Sequence, residues 1–272
     1  MLGGNTALKP ETSTNRSIGL VLEPINNLSF GVDYWEVDIS NTIIFGISPQ
    51  FILSNPGFSG FVTRAAPDAS CPGCPGQVLS ISQTNTNLGE THVKGFDFTG
   101  MWRIPTRSLG AFTLNFTGTY MYRYDVQNLD GSFSSVNGMV SPITNGNGGV
   151  IPRWRHYLTL DWRLNPWNFA AVWQYQSHYK DIPGTFDDPT ADPLGRPVVH
   201  EWVGDYSLIH LYASYTGLFS KNLKLTAGIR NLFDRSPPYS NAGGQNYFQA
   251  GYDPGYADPR GRTFLLQGTF RF

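Results

Sequence analysis

Apolar and polar residues alternate along several long segments of this chain. In the clearest segment, from Phe112 to Tyr124, every second position holds Phe, Leu, Gly or Tyr, while Thr, Asn and Arg fill most positions between. This period of two predicts a β-strand with one apolar and one polar face. The segment is longer than the about five or six residues usual in globular sheets. It provides the roughly 9–11 residues that a tilted strand needs to cross a bilayer.

The same alternation recurs along the chain and predicts about nine strands. The other segments lie near residues 17–23, 28–34, 96–104, 158–164, 169–175, 209–215, 223–230 and 264–272. Aromatic residues gather near the ends of these segments, as at Trp35, Trp162 and Trp167. Such clusters are typical of the aromatic girdles of membrane barrels, although aromatic residues also favour strands in general.

The connections between these segments alternate in length. Short turns are expected at 23–27, 104–110, 165–167 and 216–222, and long loops rich in turn-forming residues at 42–80, 127–152, 179–204 and 234–261. Outer-membrane barrels have this asymmetry, with short periplasmic turns and long extracellular loops. The pattern therefore predicts an all-β fold: an antiparallel transmembrane β-barrel segment of about nine long strands, forming an incomplete barrel.

The composition agrees with strands that face an apolar medium. Charged residues make up 14% of the chain, against about 25% in globular domains, and aromatic residues also make up 14%. The chain contains no run of about 18 apolar residues, so its sequence does not predict a transmembrane helix. The mean hydropathy of −0.25 resembles that of a soluble protein, but only alternate residues of a barrel strand face lipid. A net charge of −1 does not favour a nucleic-acid partner.

The first ten residues lack the basic and apolar regions of a signal peptide, so an export signal is expected upstream of this chain. Cys71 and Cys74 form Cys-Pro-Gly-Cys in a predicted loop, where a local disulfide is the main expectation. Free thiols and a metal or redox role are the alternatives.

Two loop segments each allow two interpretations. Asp187, Asp188 and Asp192 form either a calcium site or a solvated loop. The apolar segment from Asn41 to Ser54 predicts a short helix folded back on the barrel mouth, either as a lid or as a packed loop core.

Several motifs resemble those of TonB-dependent outer-membrane receptors, in the order found in that family. They are Leu8–Asn15 (LKPETSTN), Val32–Ile39 (VDYWEVDI), Val93–Phe98 (VKGFDF), Asn231–Asp234 (NLFD), Gly251–Pro254 (GYDP) and Asp258–Arg262 (DPRGR). The resemblance covers nearly the whole chain. Asn231 and Asp234 are expected to cap a strand and start a turn.

The resemblance also assigns a role to the end of the chain. A last strand carrying Phe270 and Phe272 resembles the sorting signal that the barrel-assembly machinery reads. That end is then periplasmic, which places the short turns in the periplasm and the long loops outside the cell.

The resemblance implies a 22-stranded barrel around an N-terminal plug that contacts TonB. On this view the chain is the C-terminal portion of the barrel, without plug or earlier strands. It lies in the outer membrane of a Gram-negative bacterium with outer-membrane lipid as partner, and it is inactive alone, because an open sheet leaves unpaired backbone groups in lipid. No cofactor is expected.

The function implied is energised uptake of a scarce solute, with a ferric siderophore the main expectation and cobalamin, haem or an oligosaccharide the others. Loops on a rigid scaffold are where such ligands bind. The candidate contacts are Trp154, Arg155, His156, Tyr179, His200, Trp202, Tyr239, Tyr247, Phe248 and Tyr252. The alternative is a purely structural role, in which these residues pack the loops against one another.

The sequence is also compatible with two other classes of protein. One is a small complete outer-membrane barrel of the porin or adhesin type, which needs an even number of strands. The other is a soluble all-β carbohydrate-binding module, which needs a second sheet against its apolar face. An enzyme is not expected, because none of the Gly-x-Ser-x-Gly, Walker or His-Glu-x-x-His motifs occurs.

Overall fold

The computed structural model describes residues 5–44, 49–54, 56–67, 71, 73–83, 85–87, 89–127, 131–140, 150–181, 202–240 and 251–271. These residues form sixteen strands, one short helix, α1 (Pro49–Ser54), and one 3-10 helix, Pro56–Phe61. The strands are β1 Thr12–Ile25, β2 Leu28–Ser40, β3 Ile43–Ile44, β4 Val62–Arg64, β5 Val78–Ile81, β6 Thr86–Asn87, β7 Glu90–Pro105, β8 Ala111–Gln127, β9 Phe133–Ser135, β10 Trp154–Leu164, β11 Trp167–Gln176, β12 Tyr179–Lys180, β13 Trp202–Val203, β14 Tyr206–Thr216, β15 Leu223–Arg230 and β16 Thr263–Phe270.

Nine long strands form one antiparallel meander, which we call the wall. Its order is β1-β2-β7-β8-β10-β11-β14-β15-β16, and the short β9 extends it beside β8. Within the described residues, β1 and β16 each pair on one side only, so the sheet is open. The prediction of about nine antiparallel strands in an incomplete barrel is confirmed.

The connections of the wall are sorted by length as the sequence predicts. Short turns join β1 to β2, β7 to β8, β10 to β11 and β14 to β15 at one end. At the first of these, Asn27 adopts a φ of 68°, which Asn tolerates better than most residues. The long connections lie at the other end and carry three small two-stranded sheets, β3–β6, β4–β5 and β12–β13.

Cross-strand pairing aligns the alternating residues into rows, which give the wall two distinct faces. On the apolar face, one row runs through Leu22, Phe30, Gly100, Phe116, Leu158, Trp173 and Ile209. On the polar face, one row runs through Asp33, Asp97, Thr119, Arg155, Gln176 and Tyr206. Because successive side chains of a strand point to opposite faces, this register keeps the two surfaces separate from the short turns up to the bulge at Lys94 and Gly95, between β7 and β8.

The apolar face is left open to its surroundings. Ile18, Phe264 and Leu266 are 73%, 77% and 81% exposed, and no second sheet among the described residues covers them. A continuous exposed apolar surface of this kind marks a face that contacts a membrane or a partner. Among the described residues, no helix is long and apolar enough to span a bilayer.

The buried clusters lie in the long connections rather than between sheets. Tyr179, Val140, Val150 and Val203 pack together with Tyr256 against them, and we call this group the loop core. A smaller cluster joins Ile52 of α1 to Phe58. The apolar segment 41–54 therefore contributes a short helix to a packed loop, as the sequence predicts for its described residues.

Candidate functional site

The polar face carries a pocket at the loop end of the wall. Its volume is about 570 Å³, within the roughly 300–1,000 Å³ range of small-molecule sites. Strands β14 and β15 supply Tyr206, His210 and Arg230, and the segment 254–259 closes the other side. We call this space the polar-face pocket.

The turn after β15 forms one side of the pocket. Asn231 adopts a φ of 51°, and its backbone N–H donates to Nδ1 of His210 at 2.9 Å. Asp234, with a φ of 56°, accepts a hydrogen bond at Oδ1 from the backbone N–H of Arg262 at 2.7 Å. Both residues therefore terminate the strand and form the turn, which is the structural role that the sequence predicts for them.

His210 faces the pocket in a defined tautomer. Since Nδ1 accepts the hydrogen bond from Asn231, the neutral ring carries its proton on Nε2. The ring therefore offers a hydrogen-bond donor and no fixed charge, so it can bind an acceptor oxygen of a ligand.

Arg230 supplies the positive charge of the pocket. In the described part of the chain its side chain has no hydrogen-bonded or ion-paired partner, while its backbone pairs with Thr263 and its charge acts on the nearby carboxylate of Asp258. The other charged pair nearby is self-contained, because Arg260 binds Asp258 through Nη2–Oδ2 at 2.6 Å and Nε–Oδ1 at 2.9 Å. The hydrogen bond from Arg260 holds the pKa of Asp258 below its usual value, so this carboxylate stays ionised and paired. The pocket is thus suited to an anion.

One hydrogen bond anchors the segment that closes the pocket. The hydroxyl of Tyr206 donates to the backbone carbonyl of Asp258 at 3.1 Å. The side chain of Asp253 accepts from the N–H of Gly255 at 2.9 Å and stabilises the turn at the start of the segment. The pocket is therefore bounded by ordered backbone on its loop side as well as on its strand side.

Comparison with known proteins identifies the family. A family model described as "TonB dependent receptor-like, beta-barrel" matches residues 1–232 of this chain. The chain belongs to the TonB-dependent receptor family. A search of curated proteins gave no match.

Solved structures of this receptor family share the fold of the chain. A mutant of the ferric enterobactin receptor PfeA of Pseudomonas aeruginosa is 24% identical with a TM-score of 0.63, covering 100% of this chain and 32% of that one. The siderophore receptor PirA of Acinetobacter baumannii is 16% identical with a TM-score of 0.61, covering 100% and 33%. The FrpB iron transporter of Neisseria meningitidis is 12% identical with a TM-score of 0.60, covering 100% and 33%. This chain spans about a third of the length of these structures.

The family is one of outer-membrane receptors and transporters rather than of enzymes. The likeness in fold shows that the wall is built like part of a receptor barrel, and its place at the C-terminal end of such a barrel stays a prediction.

The residues predicted from sequence to contact a ligand lie in several different parts of the structure. Tyr179 is buried in the loop core, whereas Trp202 is exposed and contacts His178 through their rings. Tyr239 is half-exposed and Tyr252 partly buried, while Arg155 lies on the polar face. His200, Tyr247 and Phe248, and the calcium candidates Asp187, Asp188 and Asp192, lie outside the described residues.

Two further candidates lie on the apolar face. The indole N–H of Trp154 donates to Nδ1 of His156 at 2.8 Å, and His156 packs edge-on against Trp173 with 4.5 Å between ring centroids. None of the described candidates lines the polar-face pocket. Their contact with a ligand stays a prediction, and the residues that do line this pocket were missed by sequence reasoning. The available signal was the position of His210 and Arg230 on the polar face next to the Asn231–Asp234 turn.

The remaining sequence candidates concern assembly and covalent chemistry. Phe270 ends β16 opposite Leu223, while Phe272 is outside the described residues, so the sorting role of both stays a prediction. Cys71 and Cys74 are joined as a disulfide with Cα atoms 5.3 Å apart. No metal-binding cluster of His, Cys, Asp or Glu occurs among the described residues.

Proposed function

We propose that this chain forms part of the wall and extracellular loops of an outer-membrane receptor that takes up a ferric siderophore with energy delivered through TonB. The observation that carries the ligand class is the polar-face pocket, which is lined by the cation Arg230 and by one carboxylate, Asp258, that is already paired with Arg260. Family membership supports the transport role, and the solved relatives include a ferric enterobactin receptor and a siderophore receptor.

The two faces of the wall support a position across the outer membrane. On β10, the rows of Trp154 and Leu164 are ten residues apart, which is about 33 Å along a strand. At a tilt of about 40°, this length spans about 25 Å, the height of the apolar band of outer-membrane barrels. Aromatic residues lie at both ends of the band, with Tyr34 against Phe96 at the loop end and Trp167 against Tyr215 at the turn end.

The polar face then lines the interior and meets the solute. An anionic ferric chelate gains a charge-assisted hydrogen bond from Arg230, since the planar guanidinium group pairs well with carboxylate or catecholate oxygens. His210 offers an N–H donor beside it, because Nδ1 is already occupied by the backbone N–H of Asn231. Together these groups favour an anion with several oxygen acceptors over a neutral sugar.

The energised step depends on parts of the receptor beyond this wall. An open sheet cannot persist in hydrocarbon, because each unpaired backbone group costs several kcal/mol. We therefore propose that the wall works only when further strands pair with β1 and β16 and a plug that contacts TonB fills the interior. We also propose that assembly uses the barrel-assembly machinery.

Replacement of Arg230 tests the ligand class. In the receptor containing this chain, Arg230→Gln should weaken binding of an anionic ferric siderophore by about tenfold or more, since a hydrogen bond to a charged group contributes about 1.5–3 kcal/mol. The matched control is Arg103→Gln, because Arg103 also lies on the polar face but next to the turn between β7 and β8. Equal affinity of the two variants, measured with radioactive ferric siderophore on whole cells, would contradict the proposal.

A further inference from the structure

The apolar face is not evenly covered by large side chains. A hollow of about 710 Å³ lies over β10, β11, β14, β15 and β16. Its base includes Ala171, Ala213 and Ala227, and register places Ala213 between Phe169 and Ala227. The small alanine side chains leave a depression where the neighbouring strands carry Leu, Phe and Trp.

Two ridges bound this depression. On one side, Trp162 stacks with Phe112 at 5.6 Å and with Phe169 at 5.2 Å between ring centroids. On the other side, Phe264 and Leu266 stand out from β16, 77% and 81% exposed. The stacked rings form a rigid ridge because each ring restrains its neighbour. We call this depression the alanine groove.

The chemistry of the alanine groove favours a hydrocarbon occupant. None of the residues that line it is charged, and the indole N–H of Trp162 is already used by the carbonyl of Leu109 at 2.7 Å. Sites for polar small molecules hold a few well-placed polar groups that orient the ligand. A groove lined by alkyl and aromatic groups instead gains energy from apolar contact alone, about 25 cal/mol per Å² of apolar surface removed from water.

The position of the groove points to the kind of hydrocarbon. It lies inside the apolar band, close to the end of the wall where short turns connect the strands. Trp167 and Tyr215 contact each other at 4.7 Å just beyond it, and such aromatic pairs are typical of the level of lipid headgroups. A lipid with its headgroup at that level would have its acyl chains at the depth of the groove.

We propose that the alanine groove seats an acyl chain of a phospholipid from the periplasmic leaflet and retains that lipid on the wall. This inference rests on the proposed position across the membrane, because the apolar face must contact the bilayer. The groove continues the same apolar surface, so bilayer lipid reaches it without displacing any part of the chain. The rival occupant is a side chain of a second copy, which would join two walls at the groove.

The first step of the test establishes membrane insertion. Membranes of cells that express the receptor containing this chain are washed with alkaline carbonate, which removes proteins that are not inserted. Release of the receptor would contradict the proposed position and the lipid site together. Retention of the receptor, followed by loss of all lipid in the next step, would contradict the lipid site alone.

The second step counts bound lipid by native mass spectrometry after extraction in mild detergent and addition of palmitoyl-oleoyl-phosphatidylethanolamine. Ala213→Leu fills the groove and should lower the retained lipid at least fivefold, and Ala171→Leu should do the same from a neighbouring strand. Val32→Phe is the control, because Val32 lies on the apolar face outside the groove. Heat-modifiable migration of each variant on a gel checks that the barrel is folded.

Equal lipid retention by the wild type, both filled variants and the control would overturn the lipid site. A dimer that disappears only in the filled variants would also overturn it and identify a second copy as the occupant. Selective loss of phosphatidylethanolamine from the filled variants would support it.

Discussion

The side chain of Asn231 is joined to the backbone of Arg235 by two hydrogen bonds. Nδ2 of Asn231 donates to the carbonyl of Arg235 at 2.9 Å, and the N–H of Arg235 donates to Oδ1 of Asn231 at 2.8 Å. Asn231 is 5% exposed, so both bonds are largely shielded from water. The pair closes the turn that directs the chain from β15 into the long connection beside the polar-face pocket.

Replacement of Asn231 should open this turn. Asn231→Ala removes both bonds and puts at a positive φ a residue that tolerates this conformation less well than Asn, so we expect a loss of about 2–4 kcal/mol in local stability. Asn231→Gly is the matched control, because it removes the same bonds but tolerates the backbone conformation. Hydrogen exchange of residues 231–235 should therefore rank the wild type slowest, Gly intermediate and Ala fastest. Equal exchange in Gly and Ala would show that the backbone conformation contributes nothing.

The contact between Tyr212 and Gly228 predicts a second effect. A Cβ on Gly228 would lie 2.5 Å from Cδ1 of Tyr212, so Gly228→Ala must displace this ring, which lines the polar-face pocket. Overpacking of this kind costs about 1–3 kcal/mol. At Gly100 the nearest atom to such a Cβ is 3.6 Å away, so Gly100→Ala should be close to neutral. Urea unfolding of the two variants in detergent measures the difference, and equal midpoints would contradict the contact.

Asp253 gives a prediction about pH. Burial, helped by the charge of Asp181, raises the pKa of Asp253 above its ordinary 3.8. The folded loop therefore binds a proton more readily than the unfolded chain, and its stability falls as the pH rises from 3.8 through the raised pKa. In Asp253→Asn the hydrogen bond from Gly255 can persist and no charge is buried, so this contribution to the pH dependence should vanish.

Hydrogen exchange of residues 251–261, corrected for intrinsic pH effects, measures this dependence. The wild type should become less protected between pH 4 and pH 7, while Asp253→Asn should stay constant. A wild-type loop that gains protection over the same range would contradict the assigned direction of the shift.

A charge on the apolar face should be far more costly than one on the polar face. Leu160→Arg puts a guanidinium group in the middle of the apolar band, at a cost of about 2–4 kcal/mol. Thr159→Arg puts the same group on the opposite face of β10, among polar neighbours such as Asn115. The yield of folded receptor in outer membranes should fall for the first variant and stay near wild type for the second. An equal fall in both would contradict the separation of the faces.

The wall was predictable from sequence because its signal is repeated. Each long strand must keep one face apolar over many residues, and this leaves the period of two that is visible from Phe112 to Tyr124. The family match over residues 1–232 favours the receptor barrel over the two other classes that the sequence left open. The two-residue strands of the loops, such as β12 and β13, were not predictable because so few residues carry no periodic signal.

The candidate site was less accessible to sequence reasoning. Aromatic loop residues such as Tyr179 were selected by type, yet a buried Tyr in a loop core and a Tyr in a binding loop look alike in a sequence. His210 and Arg230 were missed because their importance depends on cross-strand register and on the fold of the segment 254–259. The pairing of Asp258 with Arg260, which leaves Arg230 as the positive charge of the pocket, likewise appears only in three dimensions.

In the proposed position, the apolar face contacts hydrocarbon while the polar face lines a wet interior. Spin labels on Leu160→Cys and Thr159→Cys test this arrangement directly, in a background with Cys71→Ser and Cys74→Ser and with the receptor in phospholipid bilayers. The measurement is the accessibility of each label to oxygen, which concentrates in hydrocarbon, and to a water-soluble nickel chelate. The label at 160 should respond to oxygen and the label at 159 to the chelate. Equal response of both labels to the chelate, or the reverse order, would contradict the account.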